Sequence, residues 1–529
     1  MRFVSITSIA VFSIFMCSAC LGATYIVDPG GGGDALSITG GLGLATAGDT
    51  VLVMPGTYYE NIALVSGVAL VSSGGWGSTR IEPEDPLVPV VTCVNAGSGT
   101  LISGFSVEKG EALFGAGIYC QNSTLDIIDS RIAYNEAGDD GGGVALYDCG
   151  ASLISGNVFY KNDTYERGGA LLCDNSSPDV LDNQFTENRA HFGAGICCVN
   201  GASPEITGND FIENFATKWG GGVSCMWSCN PVIMYNTFES DTALGYNIYG
   251  FEVGAGGGVY CWNACNVKAA GNTFNNCFGW HGGAMGTSNH CTGLVADNVF
   301  TNCTGEYGGA YYNHRFSDPE ITGNRFENNV STKWGGAICY RDTAMGETRN
   351  NLIFHNSAIG GGGIKVWGSS QAVIAGNILW DNDAAYGGAV SVSNMCTATF
   401  ESNTFYGNEG LTAGGTIDSH NGSDVNISNC IVAMSSGTAA LYAWEGGFLT
   451  SDCNDFWGNS SDFQDCAPGP GDFFSAPMLC DPAAGDFHLD CQSPCNGNTA
   501  CGLVGALGVG CGSTRTEPTT WGAIKAMYR

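Results

Sequence analysis

The chain has 529 residues, and its 50 acidic against 18 basic side chains give a formal net charge of −32. That sign argues against nucleic acid, whose phosphates need clustered Lys and Arg, and against an anionic membrane surface. With 44% hydrophobic residues, only 13% charged and 81 glycines, the sequence excludes a disordered acidic tail and predicts many tight turns between short strands.

In chain order, Met1-Arg2 is followed by an apolar run from Phe3 to Met16 and by the small residues Cys17 to Ala23. A basic start, a short apolar centre and a small-residue exit predict an export signal over residues 1–23. Ser18-Ala19-Cys20 is close to a lipoprotein box, but Cys17 stands where Leu is usual, so lipidation is the lesser reading. No later segment is apolar and long enough to span a bilayer. Of 25 cysteines, 23 remain after the signal, which fits an oxidising compartment and leaves at least one thiol unpaired. Seven cluster near the C-terminus, where Cys491 and Cys495 are read as disulfide-bonded, with connectivity open, in preference to half a metal site.

A repeat organises the rest. A Gly-Gly-small-apolar motif returns twelve times, with its apolar residue running from Ile118 through Ile338 to Ile417 at steps of 25–27 and one step of 36. An Asn-x-apolar motif (Phe159, Phe185, Phe211 and onward) keeps the same period, with a further Asn three residues later at Asn162, Asn188, Asn329 and Asn356. Pro178, Pro204, Pro231 and Pro319 share one repeat position, suited to a strand start. A unit this short cannot hold its own core. A period near 26 with two or three short strands predicts one coil of an all-β, single-stranded, right-handed parallel β-helix of about 12 coils, stacked about 4.8 Å apart. Stacked amides would then bond coil to coil. Cys277 and Cys303 replace that Asn in neighbouring coils, which predicts a disulfide between them. Cys173, Cys198, Cys225 and Cys261 share another column and read as small buried hydrophobes.

Two motifs carry a resemblance. Gly335-Gly336-Ala337-Ile338 with Phe326-Glu327-Asn328-Asn329 resembles the repeats of polymorphic outer-membrane proteins. Gly48 to Ile62 resembles the first coil of pectin-lyase-like right-handed β-helix proteins, and together the likenesses span residues 24–511. They imply fold more than activity. On this reading residues 24–110 are the N-terminal cap and opening coils, 111–432 the regular coils, and 433–511 the Cys-rich closing coils and cap. Residues 512–529 are a linker and a tail, Trp521 to Arg529, that resembles a C-terminal sorting tag.

Three features are candidates for function. The 36-residue step places an insertion near Asp241–Ala255, either a binding loop or a plain surface loop. An aromatic column precedes the glycine corner at Phe114, Phe192, Trp219, Tyr307, Trp334 and Tyr386, with His281 in phase. Facing outward it would suit sugar rings; facing inward, the preferred reading, it is core. A row beyond the motif apolar residue gathers Trp262, Asn263, Asn289, His314, Arg315, Arg341, Asp342 and Trp367, which is either an acidic-sugar site or a solvated turn row. Candidate acids Asp139, Asp140, Asp163, Asp174 and Asp318 form no family motif, and Gly363-Ile364-Lys365 matches the Arg-Ile-Lys of polygalacturonases only by coincidence. The expectation is a secreted or surface-associated monomer that binds polysaccharide or a cell-surface ligand through Trp262, His314, Arg315, Arg341, Asp342, Trp367, Trp219 and Trp334. It needs no cofactor or metal, with calcium in acidic turns left open. A polysaccharide lyase or hydrolase and a structural envelope component are the rivals.

Overall fold

A computed structural model describes residues 22–245, 256–497 and 500–512. The apolar run of the export signal, the centre of the insertion with Tyr246, Tyr249, Phe251 and Glu252, and the Trp521–Arg529 tail lie outside the described residues.

Each regular coil contributes strands to four sheets. In one coil these are Ile338–Arg341 (first sheet), Glu347–Arg349 (second), Leu352–Phe354 (third) and Ser357–Gly360 (fourth). The first to fourth sheets hold 16, 17, 16 and 12 strands, and successive coils pair in parallel, as in Ile338↔Ile364 and Phe326↔Ile353. The solenoid therefore has about 17 turns and not 12. The shorter count follows from the glycine doublet: opening strands such as Thr50–Val53 and closing strands such as Phe448–Asp452 pair in register without it.

The doublet is required by close approach. Gly335 sits at φ +70°, and a Cβ there would fall 2.2 Å from the Ile338 carbonyl oxygen. A Cβ on Gly336 would fall 2.0 Å from the carbonyl of Gly362 in the next coil.

Inside the coils, Phe159, Phe185, Phe211, Phe238, Phe274, Phe300 and Phe326 form one stack, with centroids 4.6–4.9 Å apart and rings within 9° of parallel. Two asparagine ladders line the turns on either side of the third sheet. Asn356 donates through Nδ2 to Asn382 Oδ1 (3.0 Å) and to the Phe326 carbonyl (3.1 Å), and its Oδ1 accepts from the Asn329 backbone (2.9 Å) and side chain (3.0 Å). The turn amides of Asn329 and Asn356 are thereby satisfied without water.

The expected Cys277–Cys303 disulfide is absent: both residues are buried thiols. Parallel, in-register neighbours hold their Cα–Cβ bonds side by side, whereas a cystine needs them to converge. Each thiol instead stands in for the missing amide, with Cys303 Sγ donating to the Thr301 carbonyl (3.2 Å) and Cys277 Sγ to that of Asn275 (3.6 Å). Among the described residues the cystines are Cys453–Cys501 and Cys480–Cys511, bonds that persist in an oxidising environment. Cys491 and Cys495 are free thiols, not disulfide partners.

At the N-terminal end the short helix Ile38–Leu42 inserts Ile38 and Leu42 into the core, and Glu60 accepts from the Ile38 and Thr39 amides (2.8 Å each). At the C-terminal end the chain turns back and runs along the outside of the third sheet. There Gly505 donates to the Asn429 carbonyl (2.7 Å) and Phe487 packs on Trp380.

Asp241 occupies a ladder position, fully buried, with Oδ1 accepting from the Asn214 backbone (2.8 Å) and side chain (2.9 Å). Burial pushes its carboxyl well above the usual range, against those two bonds. A raised folded-state value makes the folded chain bind the proton more tightly, so stability falls as pH rises above about 4. Asp241→Asn should therefore raise the melting temperature at pH 7, and by less at pH 4. Asn356→Ala, which strands several buried partners, should cost ~3 kcal/mol in urea unfolding at either pH.

Candidate functional site

In the regular coils the strands of the first sheet are four residues long. Their first and third residues point into the coil, as Ile338 and Tyr340 do, and the second and fourth point out. Outward residues on a sheet ordinarily meet water, yet Tyr260, Tyr312, Cys339, Lys365, Ser391 and Asp418 are all buried. The aromatic column is the cause. It does not stack inside the coil. Trp219 packs with Tyr260 and Met226 in one cluster, and Tyr307 with Tyr312 and Cys339 in another, both outside the main core. The inward alternative is thereby corrected: the glycine corner turns the end of the fourth sheet outward, so its last side chain folds over the outer face of the first sheet.

This wall meets the Trp/Arg/His row. Trp262 lies 5.3 Å from Trp219, and Trp367 lies 5.0 Å from Trp334, ring centroid to centroid. Between the two pairs runs a charged strip. The Arg341 guanidinium sits over the rings of Tyr307 (4.5 Å) and Trp367 (5.2 Å), and its Nε is 3.4 Å from Asp342 Oδ2. His314 Nε2 is 3.2 Å from the same oxygen, and its Nδ1 is 3.0 Å from Ser288 Oγ. Arg315 is exposed in the turn, its amide donating to the Arg341 carbonyl (3.3 Å). All eight residues expected at a site thus line one face, Trp219 and Trp262 toward one end and the other six spread over the second to fourth coils beyond Trp262. Asn263 and Asn289 join the turn edge, the latter donating to the former (2.8 Å).

Sequence reasoning missed the floor. Lys365 is 3% exposed and donates to Ser391 Oγ (2.6 Å), with its ammonium 5.9 Å from the Trp334 ring. In the same column Asp418 is fully buried and bonded to His420 Nδ1 (2.5 Å), whose ring stacks on Trp444 (4.7 Å). The signal was available: charged residues one place after the motif apolar residue, in a column whose other members are all uncharged.

The electrostatics follow burial. Desolvation lowers the His314 imidazole, outweighing the Asp342 contact that would raise it. Desolvation alone would raise the Asp342 carboxyl, but the His314 hydrogen bond and the Arg341 and Arg315 charges hold it below the usual range. Desolvation also lowers the Lys365 ammonium, against the pull of Asp418.

The other acids take no part in this strip. Asp140 is clamped by Arg167 through Nε (3.0 Å) and Nη2 (2.6 Å), and Asp174 lies 3.7 Å from the same guanidinium. Asp318 is exposed at the start of its second-sheet strand. Asp342 and Asp418 are three coils apart, about 14 Å along the axis. Among the described residues no group of three or more His, Cys, Asp or Glu side chains is arranged to hold a metal, and no helix is long and apolar enough to cross a membrane.

The family described as right handed beta helix region matches residues 92–243 and 327–456, just over half of the chain. The chain belongs to the right-handed β-helix family. Among solved structures this β-helix is similar to XylC in complex with xylose, at 9% identity over 86% of this chain and 87% of that one, with a TM-score of 0.23. It is also similar to pectate lyase Pel9A, at 11% identity over 95% of each chain, with a TM-score of 0.19. No curated protein matches it.

The His314–Asp342 contact can be tested by titration. His314 has a folded value below its unfolded value of about 6.5, so the neutral ring's contribution to stability is whole above that pH and fades as pH falls through the lowered folded value. Asp342→Asn removes a group that raises the imidazole, so the His314 midpoint read by NMR should move further down. An upward move would show that the carboxylate does not act on this ring.

Proposed function

We propose that this β-helix is an exported, monomeric binding protein whose first-sheet face holds an extended polysaccharide carrying acidic groups. The observation that carries the reading is the burial of Arg341, His314 and Lys365 beneath an aromatic wall on the outer face of a rigid sheet. Taking charge out of water is costly unless it serves an interaction. Here three cations, Arg315, Arg341 and Lys365, lie within three coils of a chain that has only 18 Lys and Arg. Aromatic faces suit the apolar side of sugar rings, and guanidinium forks suit carboxylates. The strip repeats along the axis as a polymer does. The leader-like residues 1–23 and the two cystines support export to a secreted or surface location.

Binding is favoured over hydrolysis because paired-carboxylate chemistry needs two acids within about 10 Å, and Asp342 and Asp418 stand further apart along the axis. A lyase reading has one specific observation behind it: Lys365 is buried, and desolvation pushes its ammonium down, the direction in which an amine becomes a better general base.

Titration of the full chain with oligogalacturonate and with neutral oligosaccharides should show preference for the acidic ligand. Trp367→Ala and Arg341→Gln should each weaken it tenfold or more, about 1.4 kcal/mol. Unchanged affinity in both variants would remove the site. Ultraviolet absorbance of unsaturated products, present in wild type and lost in Lys365→Met, would turn the reading from binding to elimination.

A further inference from the structure

A second recess lies on a different face. Where residues 479–490 run back along the outside of the third sheet, they leave a cavity of about 470 Å³ between themselves and the sheet, within the range of ligand sites. Its sheet side is formed by Leu352, Phe354, Trp380 and Tyr406, and its outer side by the turn Pro482–Gly485.

The cavity is built, not left over. Phe354 and Trp380 are stacked at 3.8 Å and 6°, and Phe487 closes on Trp380 at 5.1 Å and on Tyr406 at 5.6 Å. The outer turn is fixed by its own cap, Asp481 Oδ1 accepting from the Ala484 amide (3.3 Å). It is fixed also by the neighbouring Cys480–Cys511 bond, which ties the strand entering the turn to the end of the described chain. A wall tethered in this way is preorganised, which lowers the ordering cost of binding.

The polar groups at the cavity are matched in charge. Arg325 is held by Glu327 through Nε (3.0 Å) and Nη2 (2.7 Å), with its guanidinium 4.6 Å from the Phe354 ring centre. His355 Nε2 stands 3.7 Å from Asp381 Oδ2, and both side chains are about half exposed. An anionic ligand would meet Asp381, and a cationic one Arg325. A purely apolar ligand would leave the His355–Asp381 edge unused. A neutral ring with one apolar side and a rim of hydroxyls satisfies all of them.

We infer that this recess is a second carbohydrate site, separate from the charged strip, which takes a neutral sugar unit between the Phe354–Trp380–Tyr406 surface and the Pro482–Gly485 turn, its hydroxyls directed to His355, Asp381 and Arg325. It does not depend on the reading of the first-sheet face, since it uses other residues and an uncharged ligand.

The test is calorimetric titration of the full chain with neutral gluco-, manno- and xylo-oligosaccharides of two to four units. At least one should bind, and Trp380→Ala and the double variant His355→Ala/Asp381→Ala should each weaken it tenfold or more. Trp367→Ala should change it less than twofold. Because Trp380→Ala also removes a contact of Phe487, the double variant, confined to exposed side chains, carries the test if the Trp380 variant fails to fold or to form the Cys480–Cys511 bond. Absence of binding by every neutral oligosaccharide overturns the inference, and so does binding that survives in the double variant. A change of oligomeric state in the double variant, read by light scattering, would also overturn it by assigning this face to a second copy of the chain.

Discussion

Each coil passes its backbone hydrogen bonds to the next, and no coil can close on itself. That translation, one strand spacing per turn, governs every other feature of the molecule. It places like residues above like, so a side chain is stable here only if it packs against its own kind. Phenylalanine does so through parallel rings, and asparagine does so because its amide is donor and acceptor at once. A lysine or aspartate column would repel itself, which is one reason charged residues make up only 13% of the sequence. The exceptions sit where the neighbour differs. Lys365 rests on Ser391, and Asp241 is held by an amide below it.

The same translation explains the second layer of packing on the first sheet. The glycine doublet lets adjacent coils approach at the corner, and this turns the last residue of each fourth-sheet strand outward. Where that residue is aromatic it covers the sheet face beside it. The outer face thereby acquires the dryness of an interior, and Lys365, Arg341 and His314 are withdrawn from water before any ligand arrives. Preorganisation of this kind favours groups that replace water's contacts with charge and ring faces together.

Much of this was legible in the residues. The 26-residue period, the glycine corner, the amide ladders and the membership of Trp262, His314, Arg341 and Trp367 in one row follow from spacing alone. Three things did not. The turn count was short because the opening and closing coils bond through backbone without the glycine signature. The side of the sheet on which Trp219 and Trp334 lie depends on the direction in which the chain leaves the corner, and residue spacing is silent on that. The cystine expected at Cys277 and Cys303 failed because proximity in a stack is not convergence of side-chain bonds.

The C-terminal return shows what the solenoid cannot supply by itself. A regular sheet face has ridges and columns but no enclosed volume, since every coil presents the same profile. Enclosure needs a segment that leaves the register. Here residues 475–497 and 500–512 do so: Leu479–Asp481, Asp486–Asp490 and Val509–Cys511 pair in a small sheet of their own, braced by Cys480–Cys511, and Cys453–Cys501 ties the segment to the closing coils. On the outer face of the third sheet this covers Ile431 and Thr404, which are otherwise as exposed by geometry as any outward residue, and turns a flat surface into a recess. The two faces thus gain their chemistry by different breaks of one symmetry, one through side chains folding over a corner and the other through chain folding back along the rod.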